Sequence, residues 1–213
     1  MVTTTVTVLH VDPAFVVVDK PAGLLSVPGR GPDKQDCVVS RVRDLFFDCP
    51  EQPSVHRLDM DTSGLMVLAR TTEAHRVLSR QFAERRVQKK YLAVLAGVVG
   101  EEQGSIELSF RLDPDNRPCQ VYDPVRGKSG RTRWRRLSVE DGQTRVEFVP
   151  LTGRTHQLRL HAAHSLGLGC PIVGDRLYGT RKPGERMLLH AAFLQFLHPQ
   201  TEDVVQFSSN VPF

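Results

Sequence analysis

Leu65-Met66-Val67-Leu68-Ala69-Arg70-Thr71-Thr72-Glu73-Ala74-His75-Arg76-Val77-Leu78-Ser79-Arg80-Gln81-Phe82 decides the class of fold within one stretch. Residues 65–69 are apolar throughout, which suits a strand buried on both faces. The period then changes, with Ala74, Val77, Leu78 and Phe82 recurring at helical spacing. Thr72 begins this helix and can cap its first turn, Glu73 complements the positive helix end, and Arg85 and Arg86 stand near the C-terminus. A fully buried strand feeding an amphipathic helix points to an α+β protein.

Toward the N-terminus, Val6–Val11 and Phe15–Val18 are β-branched runs around an Asp12-Pro13-Ala14 turn, which predicts a hairpin. The prolines and glycines of residues 20–29 predict an ordered loop, and a short helix is expected over Val38–Phe47. Toward the C-terminus, strands are expected at Tyr91–Val99, Trp134–Leu137 and Thr144–Leu151, and a helix at Thr155–Leu166. No internal repeat, low-complexity tract or linker breaks the chain, so residues 1–213 read as a single unit, although the length also admits two small lobes.

The composition, 40% hydrophobic and 24% charged over 213 residues, is that of a globular domain with a proper core. No apolar run approaches the roughly 18 residues that cross a bilayer. The opening MVTTTVTVLH lacks the basic start and apolar stretch of a signal peptide, so a cytoplasmic protein without a membrane partner is expected. Cys37, Cys49, Cys119 and Cys170 are far apart and give no zinc or disulfide signature. A net charge of +4 permits an anionic partner without demanding one.

Chemistry concentrates in two stretches. Val55-His56-Arg57-Leu58-Asp59-Met60-Asp61-Thr62-Ser63-Gly64 packs a histidine, an arginine, two carboxylates and two hydroxyls against the entrance of a buried strand. Two readings fit: a reactive site, or a solvated loop in which an aspartate caps backbone amides. A paired-carboxylate hydrolase is disfavoured, because near-adjacent side chains on one strand cannot easily flank a bond from opposite sides. Thr152-Gly153-Arg154-Thr155-His156-Gln157-Leu158-Arg159-Leu160-His161 is a glycine turn into a helix start, either an anion site or a surface with satisfied histidines. His161 and His164 share a helical face, but no third ligand accompanies them and no metal is expected.

Charge is clustered as well. Arg126, Lys128, Arg131, Arg133, Arg135 and Arg136 form one group; Arg85, Arg86, Lys89 and Lys90 form another. On a strand, Arg131, Arg133 and Arg135 share a face, giving a basic stripe that either tracks a phosphate backbone or is simply solvated. Neither a Walker nor a dinucleotide glycine motif is present.

Taken in order, Asp19-Lys20-Pro21-Ala22-Gly23, His56-Arg57-Leu58-Asp59 with Thr62-Ser63-Gly64, Lys90-Tyr91, Thr152-Gly153-Arg154-Thr155-His156-Gln157-Leu158-Arg159, Gly174-Asp175-Arg176-Leu177-Tyr178-Gly179 and Leu188-Leu189-His190-Ala191 resemble the RluA family of pseudouridine synthases. The resemblance implies a pseudouridine synthase fold: a mixed, mainly antiparallel central sheet flanked by helices, with an active-site cleft. It also implies one catalytic domain over residues 1–213 without an S4 domain, no cofactor or metal, and a monomer. Leu24-Leu25-Ser26-Val27-Pro28-Gly29-Arg30 and Ser54-Val55-His56-Arg57-Leu58-Asp59-Met60 are most similar to the subgroup acting on both 23S rRNA and a tRNA anticodon stem-loop. A longer His161–Pro171 segment and a more basic Arg126–Arg136 segment depart from that subgroup, and bear on substrate choice. The alternatives are a large-subunit-only specificity and a catalytically inactive RNA-binding protein on the same fold.

By this resemblance Asp59 attacks or deprotonates the ribose, the glycosidic C–N bond breaks, and the captive uracil turns so that C5 rejoins the sugar. Burial alone would discharge such a carboxylate, and the resemblance makes Arg154 the cation that keeps it ionised. It gives Tyr91 a stacking position against the base, worth roughly 1–3 kcal/mol. It gives Arg57, beside His56, the place of the extruded uridine in the RNA stack. Arg131, Arg133, Arg135, Lys89 and Lys90 are the expected phosphate contacts, and His56 is expected to bind RNA together with Arg57.

Overall fold

The computed structural model describes residues 5–180 and 184–213. By contact density the chain forms two compact units, Met1–Lys89 with Ala191–Pro212, and Lys90–His190 with Phe213. Every strand pairing given below with its register is antiparallel.

The first unit opens with the expected hairpin, β1 (Thr7–Val11) against β2 (Phe15–Lys20). Asp12 closes its turn: the carboxylate accepts the Ala14 N–H at 2.7 Å while the Asp12 N–H donates to the Phe15 carbonyl at 2.9 Å. β2 pairs with β3 (Ser63–Ala69), all of whose residues are buried, as their unbroken apolarity predicts. β3 is followed in the sheet by β9 (Leu189–Leu197), and β10 (Val204–Ser208) pairs with β9. At Gly64 β3 lies hard against β9: its φ is +114°, and a Cβ there would collide with the backbone of Ala191. Only glycine fits. The helix α1 (Val38–Leu45) precedes β3 and ends before the predicted Phe47, because Phe46 turns to φ −132°, ψ 88°.

The helix α2 (Thr72–Ala83) follows β3 and presents Ala74 and Leu78 to a core of Phe15, Val17, Leu65, Val67, Leu194 and Phe196. Its cap lies one residue earlier than expected. Thr71, in extended conformation, accepts the Ala74 N–H at 3.1 Å, whereas Thr72 is already helical. A capping side chain must sit outside the helix to reach back to it. Gln81 is buried too, its amide bonded to both the N–H and the carbonyl of Leu197 at 2.8 Å.

In the second unit the strands run β4 (Gln88–Leu95), β8 (Gln143–Pro150), β7 (Lys128–Glu140), β5 (Gln103–Leu112) and β6 (Gln120–Tyr122) across the sheet. β4 stops at Leu95 rather than Val99 because Gly97, at φ +144°, turns the chain. β7 is far longer than the predicted Trp134–Leu137: buried Thr132 and Trp134 alternate with exposed arginines, and the arginines hide the strand from a hydrophobicity reading. The core gathers Ala93, Leu95, Ile106, Phe110, Trp134, Val146, Phe148, Leu158, Leu160 and Ile172. The helix α3 covers only Gln157–Ala163, not the predicted Thr155–Leu166. His156 is left-handed at φ 56° and His164 extended at ψ 140°, so Arg154 and Thr155 belong to a loop ahead of the helix.

Candidate active site

The segment 56–62 has no regular structure, so its conformation depends on individual hydrogen bonds. The Ser26 hydroxyl donates to the Leu58 carbonyl at 2.7 Å and accepts the Leu58 N–H at 3.0 Å. The Met60 carbonyl receives the Gly23 N–H and the Lys20 ammonium, each at 2.9 Å. Between them the Asp59 carbonyl accepts the Thr62 N–H at 3.2 Å, and the Asp59 side chain is half-buried. Asp61 is buried beside it.

Lys20, at the end of β2, is 0% exposed. Its Nζ donates to the carbonyls of Pro21, Leu24 and Met60 at 2.9, 2.8 and 2.9 Å, using all three N–H groups of an ammonium. Burial pushes its pKa down to about 7, and the carboxylates of Asp61, Asp59 and Asp19 pull it back upward. The motif Asp19-Lys20-Pro21-Ala22-Gly23 by itself assigns this lysine no role. Its position at the end of the buried run Phe15–Val18, where a solvated lysine is out of place, was the available signal.

His56 is a structural acceptor in this unit. Its Nε2 accepts the Val67 N–H at 3.1 Å, and its ring stacks on Phe82 at 4.5 Å. Burial, and then the Lys89 charge, lower its pKa to about 3, so the ring is neutral. Arg57 projects exposed from the same segment, and half-buried Lys89 lies over the Phe82 ring at 5.8 Å.

The remaining predicted residues belong to the second unit. Tyr91 lies half-buried on β4, paired with Phe148 of β8. Arg154 is exposed, and its Nε donates to the Ser129 carbonyl at 3.3 Å. Its loop is set by Gln157, whose Oε1 accepts from the Thr152 hydroxyl at 2.7 Å and the Arg154 N–H at 3.1 Å. The Gln157 Nε2 donates to the Arg131 carbonyl and the Thr132 hydroxyl, both at 2.9 Å. Tyr178 fixes the next residue: its hydroxyl accepts the Gln120 N–H at 2.7 Å and hydrogen-bonds His156 Nδ1 at 2.9 Å. Beneath this loop Arg159 and Asp175 form a two-pronged ion pair at 2.8 and 2.6 Å, and Asp175 also accepts the N–H groups of Leu177 and Tyr178.

Arg131, Arg133 and Arg135 do share the exposed face of β7. Arg135 reaches Glu147 at 3.5 Å, and Lys90 approaches the same carboxylate at 3.6 Å. Among the described residues no group of three or more His, Cys, Asp or Glu could hold a metal ion, and no helix is long and apolar enough to cross a membrane.

His161 departs from the expectation of a satisfied core histidine. It is 0% exposed, edge-on to Phe110, and neither ring nitrogen meets a partner among the described residues. Burial lowers its pKa from 6.5 to about 4. A base with a depressed folded pKa binds its proton more readily when unfolded, so the stability it permits is complete above about pH 6.5 and is lost as the pH falls toward 4. The loss approaches about 3 kcal/mol. His161→Leu is expected to raise the melting temperature at pH 5 and to flatten the stability curve across this window, read by thermal unfolding. Identical pH dependence in the two proteins would refute the assignment.

Comparison with known proteins places this geometry. The profile of the RNA pseudouridylate synthase family matches residues 14–164. The Dual-specificity RNA pseudouridine synthase RluA of Yersinia pestis is 43% identical over 210 residues, covering 97% of this chain and 99% of the relative. Its counterpart from Escherichia coli (strain K12) is 41% identical, covering 97% and 93%. Among solved structures, Human RNA Pseudouridylate Synthase Domain Containing 1 superposes with a TM-score of 0.78 at 30% identity, covering 98% of this chain and 84% of that one. Human RNA Pseudouridylate Synthase Domain Containing 4 gives 0.76 at 26%, covering 97% and 88%. The α+β architecture, the ordered motifs and nearly full-length relatives agree, and this chain belongs to the RNA pseudouridylate synthase family.

Proposed function

We propose that this enzyme forms pseudouridine in both 23S ribosomal RNA and a tRNA anticodon stem-loop, with Asp59 as the nucleophile. The setting of Asp59 carries the chemical part of this reading. A half-buried carboxylate sits on a segment without regular structure whose backbone is nevertheless held at residues 58, 59 and 60. Such restraint suits a group that must meet a sugar carbon at a fixed distance. The dual specificity is supported by the names of the 41–43% identical relatives and by the segments 24–30 and 54–60.

Tyr91 stacks on the target base, and Arg154 supplies the fixed cation of the reaction. Exposed Arg57 fills the place of the extruded uridine. Arg131, Arg133 and Arg135 with Lys89 and Lys90 hold phosphates, while neutral His56 adds no ion pair and orients its segment. The enzyme works as a monomer in the cytoplasm, without a metal.

The test is pseudouridine formation by the purified protein on the two RNAs separately. Product on both is the expected result; product on 23S RNA alone would narrow the specificity, and product on neither would overturn the proposal. Arg57→Ala in the same assay is expected to be slow on the folded stem-loop and close to normal on an unstructured oligonucleotide. Equal activity on both would remove Arg57 from uridine extrusion.

A further inference from the structure

Ser26 lies in the loop between β2 and α1, far in sequence from Asp59, and is 3% exposed. Both hydrogen bonds of its hydroxyl go to one residue, Leu58, whose carbonyl takes its proton at 2.7 Å and whose N–H it accepts at 3.0 Å. This side chain therefore does for Leu58 what a neighbouring strand does for a residue in a ladder. Leu58 is itself 5% exposed, so water cannot readily substitute for the missing ladder. Leu58 immediately precedes Asp59, and on the other side the Met60 carbonyl is pinned by the Gly23 N–H, from the same loop as Ser26.

We propose that Ser26 is a positioning residue for pseudouridine formation: its hydroxyl clamps the Leu58 peptide and thereby sets the direction and reach of the Asp59 carboxylate. The inference rests on Asp59 being the nucleophile. Ser26 touches no substrate, and its contribution is the restriction of the dihedral angles that lead into residue 59. Without the hydroxyl, Leu58 loses both of its partners at once and the segment samples other arrangements. A reacting group displaced by about 1 Å can lose on the order of a hundredfold in rate. RNA affinity is set by phosphate contacts elsewhere and is unaffected.

The experiment compares single-turnover rates at saturating tRNA stem-loop for wild type, Ser26→Ala, Ser26→Thr, Asp59→Asn and Leu78→Ala, well below every melting temperature. Ser26→Ala is expected to slow the step by about tenfold to a hundredfold, with the half-saturating RNA concentration unchanged. Ser26→Thr, which keeps the hydroxyl, is expected to recover most of the rate. Leu78→Ala, a core truncation in α2, controls for lost stability and is expected to keep the wild-type rate. A wild-type rate in Ser26→Ala, a Thr variant as slow as the Ala variant, or an equal loss in Leu78→Ala would each overturn the positioning role. Should Asp59→Asn turn over normally, the nucleophile assignment falls instead; an inactive Asp59→Asn beside a fully active Ser26→Ala would sink the present inference alone.

Discussion

Asp59→Asn is expected to bind RNA as wild type does and to form no pseudouridine, a loss of at least about four orders of magnitude in single-turnover rate. The amide keeps the size of the carboxylate and much of its hydrogen-bonding capacity, so the clamps at Leu58 and Met60 persist and the fold is undisturbed. What disappears is the negative charge, and with it both nucleophilicity and basicity. Binding is expected to survive because, on the proposed reading, phosphate is held by the exposed arginines of β7 without reference to residue 59. Two measurements check this: release of tritium from uridine labelled at C5, which is lost when C5 joins the sugar, and RNA affinity by filter retention. Residual turnover above trace deamidation would refute the nucleophile assignment.

The second large effect is on stability. Arg159→Met is expected to destabilise the protein by about 3–5 kcal/mol, because Asp175, 0% exposed, would keep its charge without its principal partner. The N–H groups of Leu177 and Tyr178 would still reach it, but they are dipoles and not a countercharge. In the wild type, burial pushes the Asp175 pKa up, but the Arg159 guanidinium and these N–H groups outweigh it and hold the pKa below the usual 3.8. That contribution is complete above pH 3.8 and is lost only as the pH falls through the depressed folded value. In the variant the sign reverses. With the cation gone, burial raises the folded pKa, the folded state holds a proton that the unfolded state releases, and the variant weakens as the pH rises. The deficit relative to wild type is therefore expected to be smaller at pH 5 than at pH 7, read by urea unfolding. A deficit below about 1 kcal/mol at pH 7 would mean that the pair is solvated and worth no more than a surface contact.

Legibility in the sequence followed the strength of local signals. Residues 65–69 announced a buried strand because both faces of β3 meet apolar layers, and α2 was legible because Ala74 and Leu78 keep helical period. The full length of β7 was not, because exposed arginines at alternate positions dilute its apolar face. The start of α3 was misplaced, since the left-handed turn at His156 is enforced by distant partners: Tyr178 on its ring, and the backbone of β7 on Gln157. The proposed site divides similarly. Asp59, Arg57 and Arg154 are proposed from motif alone, whereas Ser26 and Lys20 meet backbone carbonyls and N–H groups brought near by folding, which leave no pattern in side-chain identity.

The division of the chain between its two units bears on the order in which the protein acquires structure during synthesis. Residues 90–190 form their unit from a continuous stretch, apart from Phe213, and its β7 and β8 are joined by a tight turn at Asp141 and Gly142. This unit can complete nearly all of its pairing as soon as that stretch leaves the ribosome. The other unit cannot. β3 waits for β9, more than a hundred residues later, so the apolar edge around Gly64 stays open while the intervening chain is made. An open edge on a largely apolar strand is an invitation to aggregation, and the nascent protein is most exposed to chaperone capture in that interval.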